Sequence, residues 1–300
     1  MSAREFVGGI MAGVHQACAQ ASPAVHLGGT CWARRAAAAC PDYGGARRQH
    51  PRPARLRALS ARRSGRDTES RSRLVRVIFN QELQQLGSDL QSMAQQVATA
   101  IERAAESLRH GDIIIAEQVI DADERINDLQ RDIDDMCVML LARQQPVAGD
   151  LRNVISALRM AQTLERQGDL ARHIAAIARG RYPEPPVPEP VLGLILQMAD
   201  HAVKAGQDVV RLIETQDLSL AAQIQTNDSE LDALHRRSFQ MILDPANELS
   251  RQQVVDAVLM GRFLERFGDH STSVARRVAY LVSGQPVPET HDAEDADALH

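Results

Sequence analysis

Two stretches of this chain carry the residues best placed to do chemistry. Leu164-Glu165-Arg166-Gln167-Gly168-Asp169 returns, 100 residues later, as Leu264-Glu265-Arg266-Phe267-Gly268-Asp269. On an α-helix, a Glu and an Asp four residues apart stack on one face, one turn from each other. Like charges so placed repel by roughly a few tenths of a kcal/mol in an isolated helix, so a doubled occurrence calls for a cation or another partner. Leu151 and Leu158 precede Glu165 at heptad spacing, and Val258 precedes Glu265 by seven residues. That places both glutamates at the edge of a packed seam, away from open solvent. Gly168 and Gly268 lie between each Glu and its Asp. A mid-helix Gly costs about 1 kcal/mol against Ala, so close approach of another helix is the expected reason for it. A single Glu-x-x-x-Asp on a helix is most often a solvated pair. The duplication at a seam edge favours binding.

A second pair of segments offers further oxygens. Asp228 and Asp232 are again four apart, and Asp123 and Asn127 are their counterparts. Beside the Glu/Asp pairs they would form an oxygen-rich patch suited to Mg²⁺, Mn²⁺, Fe or Ca²⁺, unlike a thiol-type zinc site. Asn127 carries no charge, so the first patch should bind a cation more weakly. His235 and His270 lie near the second set of acids, but Leu170 stands where the first copy would need a partner for His270. Asp232-x-x-His235 is only loosely like the Glu-x-x-His of di-iron bundles. The chain has no Gly-rich phosphate loop, nucleophile elbow or Cys-pair zinc spacing.

The elements that must position these residues are helices. Aromatics make up only 3 % of the chain, while Ala, Leu, Ile, Val and Met abound, a mix better at packing helix on helix than at building a sheet. The longest apolar runs, such as Val191 to Leu196, are too short to cross a bilayer. The periodicity predicts helices at about 76–110, 112–143, 148–180, 191–216, 217–243 and 249–283. Asp112, Asp150 and Asp217 are expected as N-caps or first-turn acids. The run Pro183 to Pro190 divides the helices three and three. The halves match in register, Met93 with Met198, Asp112 with Asp217 and Asp123 with Asp228 at offset 105, then Met160 with Met260 and Ala175 with Ala275 at offset 100. The change of offset is assigned to the turn between second and third helices. The expected fold is all-α, two tandem, internally duplicated three-helix bundles at 75–182 and 191–284, joined by a Pro-rich linker at 183–190.

Residues 1–74 differ in style. They hold 13 Arg against 4 acidic residues, a net of +9, while the remainder holds 21 basic and 35 acidic residues, a net of −14. The stretch lacks sustained periodicity. Its early apolar run faintly resembles a signal peptide, but Arg4-Glu5 mixes the charge and His15 and Gln16 interrupt the run. The basic run Arg47 to Arg73 has the composition of a nucleic-acid or anionic-lipid contact. The simpler expectation is a disordered extension, or one upstream of the true start, with an acidic disordered tail at 285–300. Cys137 is the one cysteine after residue 74, which makes a reducing compartment the default.

The run Gln144-Gln145-Pro146-Val147-Ala148-Gly149-Asp150-Leu151-Arg152, with the two Leu-Glu-Arg-x-Gly-Asp copies, resembles the PhoU family over about residues 75–284. The resemblance implies two three-helix bundles, often dimeric, whose Glu/Asp-x-x-x-Asp motifs hold multinuclear metal clusters of Fe, Zn, Mn or Mg. Carried over, the ligand positions are Asp123, Asn127, Glu165 and Asp169 in one half, and Asp228, Asp232, Glu265 and Asp269 in the other. Asn127 departs from the expected acid. The resemblance also implies a cytoplasmic, non-enzymatic regulator that couples a phosphate ABC transporter, through its ATPase subunit, to a sensor histidine kinase. Such a protein keeps the phosphate-starvation response and phosphate uptake down, meets the membrane only through partners and binds no nucleic acid. The alternatives are a carboxylate-bridged di-metal enzyme in a helical bundle, which would need His ligands converging on an open site, and a purely structural scaffold.

Overall fold

The computed structural model describes residues 54–285, with side chains described from residue 76 onward. Among these residues there are six α-helices, one 3-10 turn and no strand. The helices are α1 (Ala54–His110), α2 (Ile113–Gln144), α3 (Gly149–Arg181), α4 (Val191–Thr215), α5 (Leu218–Leu243) and α6 (Arg251–Ser283). Among the described residues, those up to Ile78 and those from Phe79 onward fall in separate compact units, and both acidic motifs belong to the latter.

Five of the six helices begin and end within about two residues of the positions that periodicity predicts. The first does not. It starts at Ala54, inside the stretch expected to be unstructured. After Pro53 the sequence contains many Arg, Ala and Leu, all strong helix formers, and no further proline until Pro146. The missing apolar stripe signalled a lack of packing surface, not a lack of helix propensity. The expectations for residues 1–53 and for the tail beyond Gln285 lie outside the described residues.

Local chemistry sets the other boundaries. The Asp112 carboxylate accepts from the amides of Ile114 and Ile115 at 2.8 and 3.2 Å and starts α2. Asp217 does the same for α5 through Ser219, and those bonds hold its carboxyl below the usual range. Asp150 lies in the first turn of α3 without capping it. Ser250 and Gln253 form a reciprocal capping box at the start of α6. The length difference between the halves is not confined to the turn. α2 runs for 32 residues and α5 for 26, because Pro245 stops α5 and a 3-10 turn at Pro245–Asn247 follows.

α3 and α6 form the centre. Each packs on the other, α3 also on α2, and α6 also on α4 and α5. Gln167 Nε2 donates to the Phe267 carbonyl at 3.1 Å and to Ser271 Oγ at 2.8 Å. The His173 ring stacks on Phe263 at 5.2 Å, and Arg181 clasps the buried Asp256 through two nitrogens. As numbering rises on α3 it falls on α6, so the two helices are antiparallel and the two motifs meet at their crossing. Phe267, fully buried there, contributes on the order of 2–3 kcal/mol of hydrophobic stabilisation. The linker is packed too, with Val187 fully buried.

Candidate functional site

In both motifs the Leu and the Gly face inward. Leu164 and Leu264 are fully buried, while Glu165, Asp169, Glu265 and Asp269 are half-buried. The carboxylates therefore sit at the seam edge that the heptad spacing predicts. The glycines are where the second helices cross. A Cβ at Gly268 would overlap Asp228 Oδ1 and stand 2.7 Å from Leu231 Cδ2. At Gly168 it would stand 3.0 Å from Ile126 Cδ1 and 3.5 Å from Asp123 Oδ1. Close approach is thus the physical reason for both residues, and it is what carries α2 and α5 to the acidic pairs.

In the second half, α5 and α6 bring Asp232, Glu265 and Asp269 together, each with an oxygen within 4.8 Å of the others. Arg262 Nη1 donates to Glu265 Oε1 at 2.6 Å, and Glu265 Oε2 is buried without a hydrogen-bond partner. Burial pushes the Glu265 carboxyl above its ordinary range, and repulsion from Asp269 adds to that. Asp228 is not in the group. It is buried against Gly268 and lines a small gap with His201, Asp208 and Ser271. His235, whose Nε2 is buried without a partner, is held below its ordinary pKa by burial and then by Arg262.

In the first half the corresponding space is taken by a guanidinium. Arg172 Nε contacts Asp123 Oδ2 at 3.0 Å and its Nη2 contacts Asp169 Oδ1 at 3.0 Å. Arg166 reaches Glu165 Oε2 and Asp169 Oδ2 at 3.5 Å. Asn127 turns its amide nitrogen to Asp123 Oδ2 at 3.4 Å, so it acts as a donor there and not as a carbonyl ligand. Burial raises the Asp123 carboxyl, and Arg172 opposes the rise. Glu165 is likewise raised by burial, with Arg166 pulling the other way. The counterpart of Arg172 in α6 is Thr272, which is buried and donates to the Asp269 carbonyl at 2.8 Å.

The two halves therefore differ as metal hosts. Asp232, Glu265 and Asp269 supply only carboxylate oxygens, one of them buried and unpartnered, and fit a hard divalent cation. Asp123, Asn127, Glu165 and Asp169 fit one less well in this arrangement: Asp123 Oδ1 is also buried without a hydrogen-bond partner, but Arg172 already bridges Asp123 and Asp169. Sequence reasoning missed Arg172. Its spacing of three from Asp169 was a usable signal, but its reach to Asp123 requires α2 and α3 to be packed.

The PhoU domain model matches residues 90–178 and 195–278. Among curated proteins, the chain is 38 % identical over 210 residues to the phosphate-specific transport system accessory protein PhoU homolog 2 of Mycobacterium tuberculosis, covering 70 % of this chain and 99 % of that protein. It is 37 % identical to the PhoU homolog 1 of Mycobacterium leprae, over 70 % of this chain and 95 % of that one. Among solved structures, that of PhoU from Pseudomonas aeruginosa aligns with a TM-score of 0.64 and 31 % identity, covering 69 % of this chain and all of that one.

Proposed function

This chain belongs to the PhoU family, and from that premise we propose that it is a non-enzymatic accessory regulator of phosphate transport. In this reading it docks on the ATPase subunit of a phosphate ABC transporter and on a sensor histidine kinase. It keeps the phosphate-starvation response and phosphate uptake down when phosphate is plentiful. It works as a cytoplasmic homodimer that reaches the membrane through its partners and binds no nucleic acid. Among the described residues, no helix is long and apolar enough to cross a membrane.

The observation that supports this best is the half-buried triad of Asp232, Glu265 and Asp269. A divalent cation held there, Mg²⁺, Mn²⁺, Fe or Zn²⁺, would supply positive charge that neutralises the carboxylates. The triad would then present different charge to a partner with and without the cation, and charge at a docking rim governs partner choice and association rate. A regulator also needs partner affinity that differs between replete and starved cells, because a ligand without differential affinity shifts nothing. The test is co-purification of the full chain with the transporter ATPase and the kinase from replete and starved cells, alongside an Asp232→Lys/Glu265→Lys variant. Capture should change with phosphate status and fall in the variant. Equal capture in all four samples rejects the reading.

A further inference from the structure

We propose that the cleft between α2, α3 and α6 is a binding site for a small molecule carrying several phosphoryl groups. The cleft is open to solvent and has a volume of about 720 Å³. Its walls carry Arg159 and Arg166 from α3 and His270 and Arg277 from α6. Three arginines and a single acid leave this hollow net positive within a region, residues 75–300, whose overall net charge is −14. Glu165 is the one acid in the wall. Arg166 meets it and Asp169 only at 3.5 Å, and a guanidinium has five donors, so most of its hydrogen-bonding capacity remains for a ligand. Gln162 adds a neutral amide donor to the same wall, while the Gln130 amide nitrogen donates to Asp134.

The geometry of the helices selects the ligand class. The register that sets Gln167 beside Ser271 and His173 against Phe263 also sets Arg159 level with Arg277, and Arg166 level with His270. Within each helix the two basic positions are seven residues apart, or about 10 Å along the axis at the α-helical rise. Arg159 and Arg277 make one cationic level; at the other, Arg166 is joined by the His270 ring, which burial and then Arg266 and Arg166 hold below its ordinary pKa, so that it serves as a neutral hydrogen-bonding partner. Two such levels suit a molecule with phosphoryl groups at both ends, whereas a single orthophosphate would meet one of them. The guanidinium fork matches phosphate oxygens in pairs.

The duplicated scaffold does not require these residues. At the equivalent positions of the other half stand Leu259 for Arg159, Leu170 for His270 and Ile177 for Arg277. The same helix pair thus accepts apolar side chains at three of the four places. Folding alone does not account for the basic set, which leaves recognition as its function.

Isothermal titration of the full chain with inorganic tripolyphosphate, in metal-free buffer at physiological salt, tests the proposal. One saturable site per chain is expected, tighter for tripolyphosphate than for orthophosphate. Arg159→Gln and Gln162→Glu, both at exposed positions of α3, should each weaken it by about tenfold, the loss expected for one charge-assisted contact. Arg251→Gln, exposed and outside the cleft, should change nothing. Four results overturn the proposal: no saturable binding, orthophosphate binding as tightly, equal loss in the Arg251 control, or full affinity in both cleft variants. The last would place the binding on the Arg-rich residues 47–73. Partner capture tests the adaptor reading independently of all of these.

Discussion

The two Leu-Glu-Arg-x-Gly-Asp copies share a backbone, a helix crossing and a buried glycine, yet they surround their acids differently. Around Glu165 and Asp169 the neighbouring positions are Asn127 and Arg172, and the acids close on an internal guanidinium. Around Glu265 and Asp269 the same positions are Asp232 and Thr272, and three carboxylates converge. Two substitutions replace a bridging arginine with a threonine and a neutral amide with a third carboxylate, while Arg262 still pairs with Glu265. Duplication preserved the scaffold, while the residue one turn after the motif sets which groups the acids meet.

The sharpest break of this comparison is cation stoichiometry. Mn²⁺ titration of chelated protein should show binding in the second half only. Glu265→Gln/Asp232→Asn should weaken it by at least about 100-fold, the upper end of the loss seen for outer-sphere changes, since these are the ligands themselves. Glu165→Gln/Asp169→Asn should leave it within a few-fold, and equal losses from both pairs would end the distinction.

Next in size is the guanidinium. Arg172→Ala leaves the buried Asp123 carboxylate without its cation and should cost about 1–3 kcal/mol in urea unfolding. Thr272→Ala, which removes one neutral hydrogen bond, should cost about 0.5–1.5 kcal/mol. Joining Arg172→Thr to Asn127→Asp should create a second Mn²⁺ site, and its failure to do so would show that more than these two positions separates the halves.

The glycines give a smaller contrast. At Gly268 a methyl group collides with Asp228 and Leu231, so Gly268→Ala should lose about 1–2 kcal/mol after the gain in helix propensity is counted. At Gly168 the nearest atoms, Ile126 Cδ1 at 3.0 Å and Cγ2 at 3.2 Å, need give by only a few tenths of an ångström, which the gain in helix propensity offsets, and Gly168→Ala should stay within about 0.5 kcal/mol of the parent. Equal unfolding midpoints for the two variants would contradict the difference in helix approach.

The least effect is on pH dependence. Both Glu265 and Glu165 are raised by burial, so each binds its proton more tightly when folded. The stability they contribute is full below the unfolded value of 4.5 and is lost as pH rises through the folded pKa. In chelated protein, Glu265→Gln should therefore flatten the decline in stability on raising the pH above 4.5. Glu165→Gln should flatten it less, because the next influence there is attraction by Arg166 and not repulsion by Asp269. A steeper decline in Glu265→Gln would reverse the sign of the argument.

Residues and spacing alone determined a good deal about this protein. Apolar periodicity specified six helices, because the stripe that packs must recur every 3.6 residues. Matching registers revealed the duplication, and each Gly between Glu and Asp announced a close helix crossing. The motifs marked where acids would lie at a seam edge. What remained depended on which helices meet and at what level. Only the antiparallel packing of α3 and α6 could show that Arg159 and Arg277 share a cleft, since they are more than a hundred residues apart. Only the crossing of α2 over α3 could hand Asp123 to Arg172, and only that of α5 over α6 could separate Asp228 from the triad that Asp232 joins. Side-chain partnership across helices depends on rotation about each axis to within a fraction of a turn. One-dimensional periodicity assigns a residue to a face but not to the atom it will meet.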